Sequence, residues 1–173
     1  MNTVSIRSLI NTDWNSISKI YADGIETGIA TFETVVPNWE TWSDKHIESC
    51  RIVAIKNNDV VGFAVLSLVS NRHVYKGVAE VTVYVDENCK NKGLGSILLK
   101  ALINESEQNG FWTLQAGIFS ENKASIALHK KCGFRIVGVR EKIGQRNGKW
   151  YDNQLLERRS KKWQILSDDS HCD

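Results

Sequence analysis

The sequence lacks any long apolar run. Its longest uncharged apolar stretch is Val60–Val69, far short of the roughly 20 residues that span a bilayer. The first residues, MNTVSIRSLI, carry a lone Arg and no apolar block of the kind a signal peptide needs. No membrane partner is expected, and the expected location is the cytoplasm. Four cysteines stand far apart at positions 50, 89, 132 and 172, with no CxxC and no Cys/His cluster. That pattern excludes a zinc-ligand spacing and argues against a disulfide framework, so no metal is expected. There is little excess charge: the formal net charge is +2, too weak to imply a nucleic-acid partner, although a local basic site for an anionic ligand remains open. Proline occurs once, at position 37, and no repeat, low-complexity tract or linker divides the chain. Residues 1–163 are read as a single domain and residues 164–173 as a short polar tail with nothing to bury.

What is present alternates between two periods. Val4–Ser8 is a short alternating strand. Thr12 can cap a helix whose apolar stripe is Ile17, Ile20, Tyr21 and Ile25, with Gly24 and Gly28 loosening its far end. Ala30–Phe32 is ambiguous. A second helix starts after Pro37 and carries Trp39, Trp42 and His46. Arg51–Lys56 and Val60–Val69 are β-rich runs joined by Asn57-Asn58-Asp59, a hairpin signal. Val78–Val85 is a third such run. Gly95–Asn109 reads as a helix, Thr113–Phe119 as a strand and Asn122–Cys132 as a helix with Asn122 as its possible cap. Phe134–Arg146 and Lys149–Arg158 are strands around the turn Asn147-Gly148. The order β-α-α-β-β-β-α-β-α-β-β predicts an α/β or α+β fold around a mixed central sheet.

The most informative segment follows the Val78–Val85 strand. A short loop holds Lys90, Asn91, Lys92, Gly93, Leu94 and Gly95, then Ser96 leads on into the helix. Glycines let backbone approach a ligand closely. The first amides of a helix have no internal partner, and the helix dipole adds roughly half a positive charge there. With two lysines beside it, this turn suits a phosphate or pyrophosphate. It is neither a P-loop, since Gly-Lys-Ser/Thr is absent, nor a dinucleotide fingerprint, since GxGxxG is absent. The bland alternative is a glycine turn with two solvated lysines.

Lys90-x-x-Gly93-x-Gly95 before a helix resembles the pyrophosphate loop of the GNAT superfamily of acyl-CoA N-acetyltransferases, with Lys in place of the usual Gln or Arg. Three further segments resemble the phosphinothricin acetyltransferase branch: Arg72-x-x-Tyr75 with Ala79 to Val85, Asn122 to His129 with Gly133-Phe134, and Gly148-Lys-Trp150-Tyr-Asp152. The resemblance implies a mostly antiparallel central sheet of about seven strands flanked by about four helices. It implies acetyl-CoA as co-substrate, with the pyrophosphate on the amides from Asn91 to Ser96 and the pantetheine beside the backbone of Val83, Tyr84 and Val85. Asn122 would cap its helix, hold the pantetheine or adenine arm, or both.

An amine near its solution pKa is mostly ammonium at pH 7, so acetyl transfer needs a base. Glu80 stands in an otherwise apolar strand, where a carboxylate is expensive without a partner or a task; its bland reading is a position facing water. The resemblance places the general base at Glu80, the proton donor to the departing thiolate at His129, and a stabilising amide near Val83–Val85, where the family's strand carries a bulge. A lone helical histidine can equally be structural. The acceptor pocket would use Phe32, Arg72, Tyr75, Thr82 and Trp150, with Trp150 and Asp152 closing the pocket or helping a dimer. The implied acceptor is a small amino acid: phosphinothricin, methionine sulfone or sulfoximine, or arsinothricin. Residues 70–80 hold Arg72, His73 and Lys76 against one acid, which disfavours a polyamine. Other amines, a peptide N-terminus and a non-catalytic CoA-binding module are the alternative readings. Members of this branch are usually homodimers, and the same is expected here.

Overall fold

The computed structural model describes residues 4–163; the polar tail read at 164–173 lies outside the described residues. The elements run β1 (Ser5–Ser8), α1 (Trp14–Glu26), α2 (Trp39–Lys45), β2 (Arg51–Lys56), β3 (Asp59–Leu68), β4 (Val78–Val85), α3 (Leu94–Gln108), β5 (Thr113–Phe119), α4 (Lys123–Lys131), β6 (Arg135–Arg146) and β7 (Lys149–Arg159). The order of elements matches the sequence expectation, with boundaries displaced by one or two residues. The strands form one seven-stranded sheet in the order β1-β2-β3-β4-β5-β7-β6. Only β4 and β5 are parallel neighbours; the other pairs are antiparallel.

The alternation of each strand sorts its side chains into two cores. Ile52, Ala54, Ala64, Leu66, Ala79 and Val81 face α3, whose Leu98, Leu99 and Leu102 are fully buried. Val53, Phe63 and Val65 face the other way, against Ile17, Ile20 and Ile25 of α1 and Trp42 of α2. Burying each of the Val, Leu, Ile and Phe side chains contributes about 1.5–3 kcal/mol. The two faces therefore hold the sheet between α3 and the α1–α2 pair.

Both hairpins form as the turn chemistry predicts. Asn57 and Asn58 have φ of 51° and 69°, and Asn147 and Gly148 have φ of 49° and 79°; two successive positive values are the signature of the turn that matches strand twist. Two local expectations fail. Thr12 does not cap α1, because residues 11–13 form a 3-10 turn and α1 starts at Trp14 with no side-chain cap. Asp13 is used instead as a tie: it accepts both Arg7 guanidinium nitrogens at 2.7 Å and the Ile10 amide at 2.9 Å. Arg7 thus holds the Asp13 carboxyl below the usual carboxylate range. Gly24 does not loosen α1, which continues to Glu26. Its role is spatial: a Cβ there would lie 2.3 Å from the Tyr84 ring.

His46 follows α2 and donates Nδ1–H to the Trp42 carbonyl at 2.6 Å, its ring 4.3 Å from the Trp42 ring. Burial pushes its pKa down from 6.5 to about 4. Between these values the unfolded chain binds more protons than the folded one, so stability rises with pH. The contribution is fully present above about 6.5 and is lost as pH falls toward 4. Thermal unfolding should therefore show His46→Gln losing less of its melting temperature than the wild type between pH 7 and pH 4.5. Equal losses would show that His46 is not the sensitive group.

Candidate active site

The site begins where two strands part. β4 pairs with β5 only through Val78, Ala79 and Glu80, opposite Thr113, Leu114 and Gln115. Beyond Glu80, β4 keeps its register with β3 as far as Val85 opposite Gly62, without a bulge. The bulge expected near Val83–Val85 is thus absent from this pairing, and the opening comes from the divergence of β4 and β5. The Asp86 amide donates to the Val61 carbonyl of β3 at 2.9 Å. Backbone groups alternate along a strand, so Thr82 and Tyr84 also point their amides at β3. Val83 and Val85 point theirs into the gap, with no strand opposite.

A cavity of about 920 Å³ fills this gap. At one end lies the start of α3. Gly93 precedes it with φ of 79°, a left-handed value that favours glycine, and no side chain caps the helix. The amides of Leu94 and Gly95 consequently lack intrahelical partners. The Ser96 amide turns back on the Gly93 carbonyl at 3.1 Å, which removes it from the expected set of free donors. Lys90, Asn91, Gly93, Leu94, Gly95 and Ser96 line the cavity with Val83, Tyr84 and Val85. Lys90 pairs with Glu87 at 3.3 Å. Lys92 donates to the Asn88 carbonyl at 2.8 Å and stands outside the lining.

The cavity wall between the two ends comes from α4 and β4. Asn122 accepts the Ser125 amide at 3.1 Å, capping α4 as expected, and donates to the Ile29 carbonyl at 3.4 Å. It therefore ties α4 to the loop after α1. His129 is buried and lines the cavity. Its Nδ1 lies 2.8 Å from the Ser125 carbonyl. A carbonyl only accepts, so Nδ1 carries the proton. Burial pushes the imidazole below its ordinary pKa, and its Nε2 is left as a lone pair without a partner. Glu80 and Thr82 line the opposite part. Desolvation raises the Glu80 carboxyl, and Arg140 partly lowers it again.

The far end is aromatic and polar. Phe32 packs 4.3 Å from Phe119 and lies over Gly144, where a Cβ would come within 2.6 Å of its ring. Tyr21 and Tyr84 meet edge to face at 5.2 Å, and burial pushes both phenols up. The Asp152 carboxylate accepts the Lys142 amide at 2.9 Å. It steadies an irregularity in which residues 141–143 of β6 have only Asp152 opposite them on β7.

The predicted residues therefore divide. Phe32, Glu80, Thr82, Asn122, His129 and most of the loop meet around one cavity. Arg72, Tyr75 and Trp150 do not line it. Arg72 stands over the Tyr75 ring at 5.3 Å beside a 3-10 turn before β4, and Trp150 is 54% exposed on β7. Sequence reading missed Tyr21, His46, Arg140 and Asn153. The one available signal was Asn153, an amide at an inward position of β7.

Comparison with known proteins matches a family model for the acetyltransferase (GNAT) domain over residues 6–155. The chain is 33% identical over 161 residues to an L-methionine sulfoximine/L-methionine sulfone acetyltransferase of Pseudomonas aeruginosa, covering 90% of this chain and 94% of that one. It is 31% identical over 160 residues to a phosphinothricin N-acetyltransferase of Alcaligenes faecalis, covering 89% and 81%. Among solved structures, a phosphinothricin acetyltransferase of Sinorhizobium meliloti in complex with acetyl-CoA superposes with a TM-score of 0.82 at 28% identity, covering 91% and 88%. A ribosomal-protein-alanine N-acetyltransferase from Brucella melitensis superposes equally well, at 0.82 and 29% identity, covering 90% and 99%.

The electrostatics predict a specific titration. By NMR, the Glu80 carboxyl should titrate above its ordinary 4.5 and the His129 ring below its ordinary 6.5. Replacing Arg140 with Leu removes a cation that favours the charged carboxylate, so the Glu80 midpoint should move further up. A midpoint that falls or stays fixed would contradict the assigned geometry.

Proposed function

Because the chain belongs to the GNAT acetyltransferase family, we propose that it moves the acetyl group of acetyl-CoA onto the α-amino group of a small phosphinothricin-like amino acid. Phosphinothricin, methionine sulfone or sulfoximine, and arsinothricin are the acceptors proposed, in a detoxification or resistance role. The observation that carries this reading is the cavity itself. It runs from an uncapped helix N-terminus, past unpaired amides on β4, to a carboxylate at the strand divergence. The names of the relatives support the acceptor class.

The residues present fit acetyl-CoA. The free amides before and at the start of α3, with Lys90 beside them, suit a pyrophosphate. The backbone of Val83 and Val85 offers donors and acceptors to an amide-bearing arm, as an added strand would. When bound, acetyl-CoA supplies the thioester carbonyl that the amine attacks. Glu80 takes the proton from the ammonium, directly or through a water, and its raised pKa brings it nearer the working range of a base. The Val83 and Val85 amides point into the gap, where either would stabilise a developing oxyanion. His129 enters the reaction neutral, with Nε2 as an acceptor. Neutral at rest, it would have to take up a proton at Nε2 before it could give one to the departing thiolate, which would make it a relay and not a resident acid.

A homodimer is proposed through β6. This strand is the sheet edge, and Val137, Val139, Ile143 and Trp150 are 46%, 52%, 51% and 54% exposed on it and its neighbour β7. Exposed apolar edges on this scale mark association surfaces. No helix of the described residues is long and apolar enough to cross a membrane.

Thiol release from acetyl-CoA against phosphinothricin, methionine sulfone, arsinothricin, spermidine and a peptide tests the acceptor. Turnover confined to spermidine or the peptide would overturn it while leaving acetyl transfer intact. Glu80→Gln should lower kcat by about 10²–10⁴-fold while still binding acetyl-CoA. Unchanged turnover would exclude Glu80 as the base. Sedimentation should give a dimer that Val139→Lys with Trp150→Glu converts to monomer; a monomeric wild type would remove the assembly claim.

A further inference from the structure

Sheet register carries one row of residues across four strands. Glu80 of β4 stands opposite Gln115 of β5, Phe119 of β5 opposite Asn153 of β7, and Asn153 opposite Arg140 of β6. Paired residues share a face and every second residue repeats it. Glu80, Gly117, Asn153 and Arg140 therefore emerge on the same side of the sheet, and all four line the cavity.

Gly117 leaves this row bare at its centre. A Cβ there would lie 3.1 Å from Arg140 Nη2 and 3.2 Å from both side-chain polar atoms of Asn153. The missing side chain lets both residues lie across β5. Arg140 Nη2 donates to Asn153 Oδ1 at 2.8 Å, and Asn153 is only 6% exposed. A buried amide is costly unless partnered, so the pair holds itself in place. Among the described residues no carboxylate forms an ion pair with Arg140. Its remaining N–H groups are open to a ligand, and a guanidinium suits a carboxylate.

We propose that Arg140, positioned by Asn153, binds the α-carboxylate of the acceptor, so that the acceptor is a free α-amino acid. This rests on the acetyl-transfer reading and deepens it. In a free α-amino acid the anion and the reacting amine are attached to one carbon, matching a cation and a base that share one cavity wall. A polyamine offers no anion. In a protein N-terminus that carboxylate has become a neutral amide. Arg140 discriminates against both, and it does so from a strand that holds none of the other predicted substrate residues.

The test pairs each acceptor with its carboxamide: methionine sulfone, phosphinothricin and glutamate, each as acid and as α-amide. The purified full-length protein is assayed by thiol release, with calorimetry for acetyl-CoA. Wild type should prefer the acids by about 30-fold or more in kcat/KM, the range of a charge-assisted contact. Arg140→Leu should reduce that preference to about threefold or less, mainly through KM, with acetyl-CoA affinity unchanged; Arg140→Lys should restore part of it. Asn153→Val should raise KM for the acids and leave kcat nearly intact, as a positioning role requires. An acid preference that survives in Arg140→Leu overturns the proposal, as does equal turnover of amides and acids by the wild type. Acetylation of glutamate alone, still dependent on Arg140, would overturn the phosphinothricin-like acceptor and support this inference. Should no acceptor release thiol, titration of methionine sulfone and its amide into CoA-loaded protein reads the same preference. Binding without an Arg140-dependent preference, or no binding at all, overturns it.

Discussion

The parting of two parallel strands after three residue pairs governs the rest of the molecule. While β4 and β5 stay together, they are ordinary members of a sheet. Once they diverge, backbone groups that a neighbour would have satisfied face an open gap, which is costly for buried backbone unless a ligand or solvent supplies partners. Everything around the gap answers that cost or exploits it. The start of α3 adds unpaired amides at one end. Asn122 pins the far wall by holding both its own helix and the loop after α1. Glu80 sits at the last paired position, where a carboxylate is close enough to protein to feel desolvation yet still open to the cavity.

The histidine illustrates how local hydrogen bonding decides a role that residue type leaves open. An imidazole can give or take a proton. Here the Ser125 carbonyl fixes the proton on Nδ1, and burial keeps the ring neutral. The remaining nitrogen can only accept. Which nitrogen of His129 offers the cavity a lone pair is thus set by one helical carbonyl four residues earlier.

Much of this was legible in the sequence. Apolar patterns and the punctuation around them (Pro37 before α2, Asn122 before α4) marked the strands and helices, and Asn147-Gly148 marked the last hairpin. The glycine loop before α3 was readable because its geometry is local: the residues that form the uncapped helix start are neighbours in the chain. Phe32 and Glu80, singled out in the sequence for the acceptor pocket and the base, both line the cavity. The acceptor end was not legible to the same degree, since it is assembled from segments far apart. Phe32 meets Gly144, and Arg140 meets Asn153 across a strand whose register depends on an irregularity at residues 141–143. No period in β6 announces which of its exposed residues turns inward. Thr12 failed as a cap because residues 11–13 form a 3-10 turn, held by the Asp13 carboxylate on the Ile10 amide and on Arg7, which moves the start of α1 to Trp14.

The alternation along β4 has a consequence for how such a protein changes over generations. Its even positions, Glu80, Thr82 and Tyr84, send side chains to the face that carries α1 and α2, while Val83 and Val85 offer the gap their backbone. Backbone groups are the same whatever the side chain. Glu80 of that row is the proposed base and Tyr84 packs against the core, so Thr82 is the position whose change can admit new amines without altering the surface that the co-substrate would use. A single strand in this way separates what lineages can vary from what they must keep.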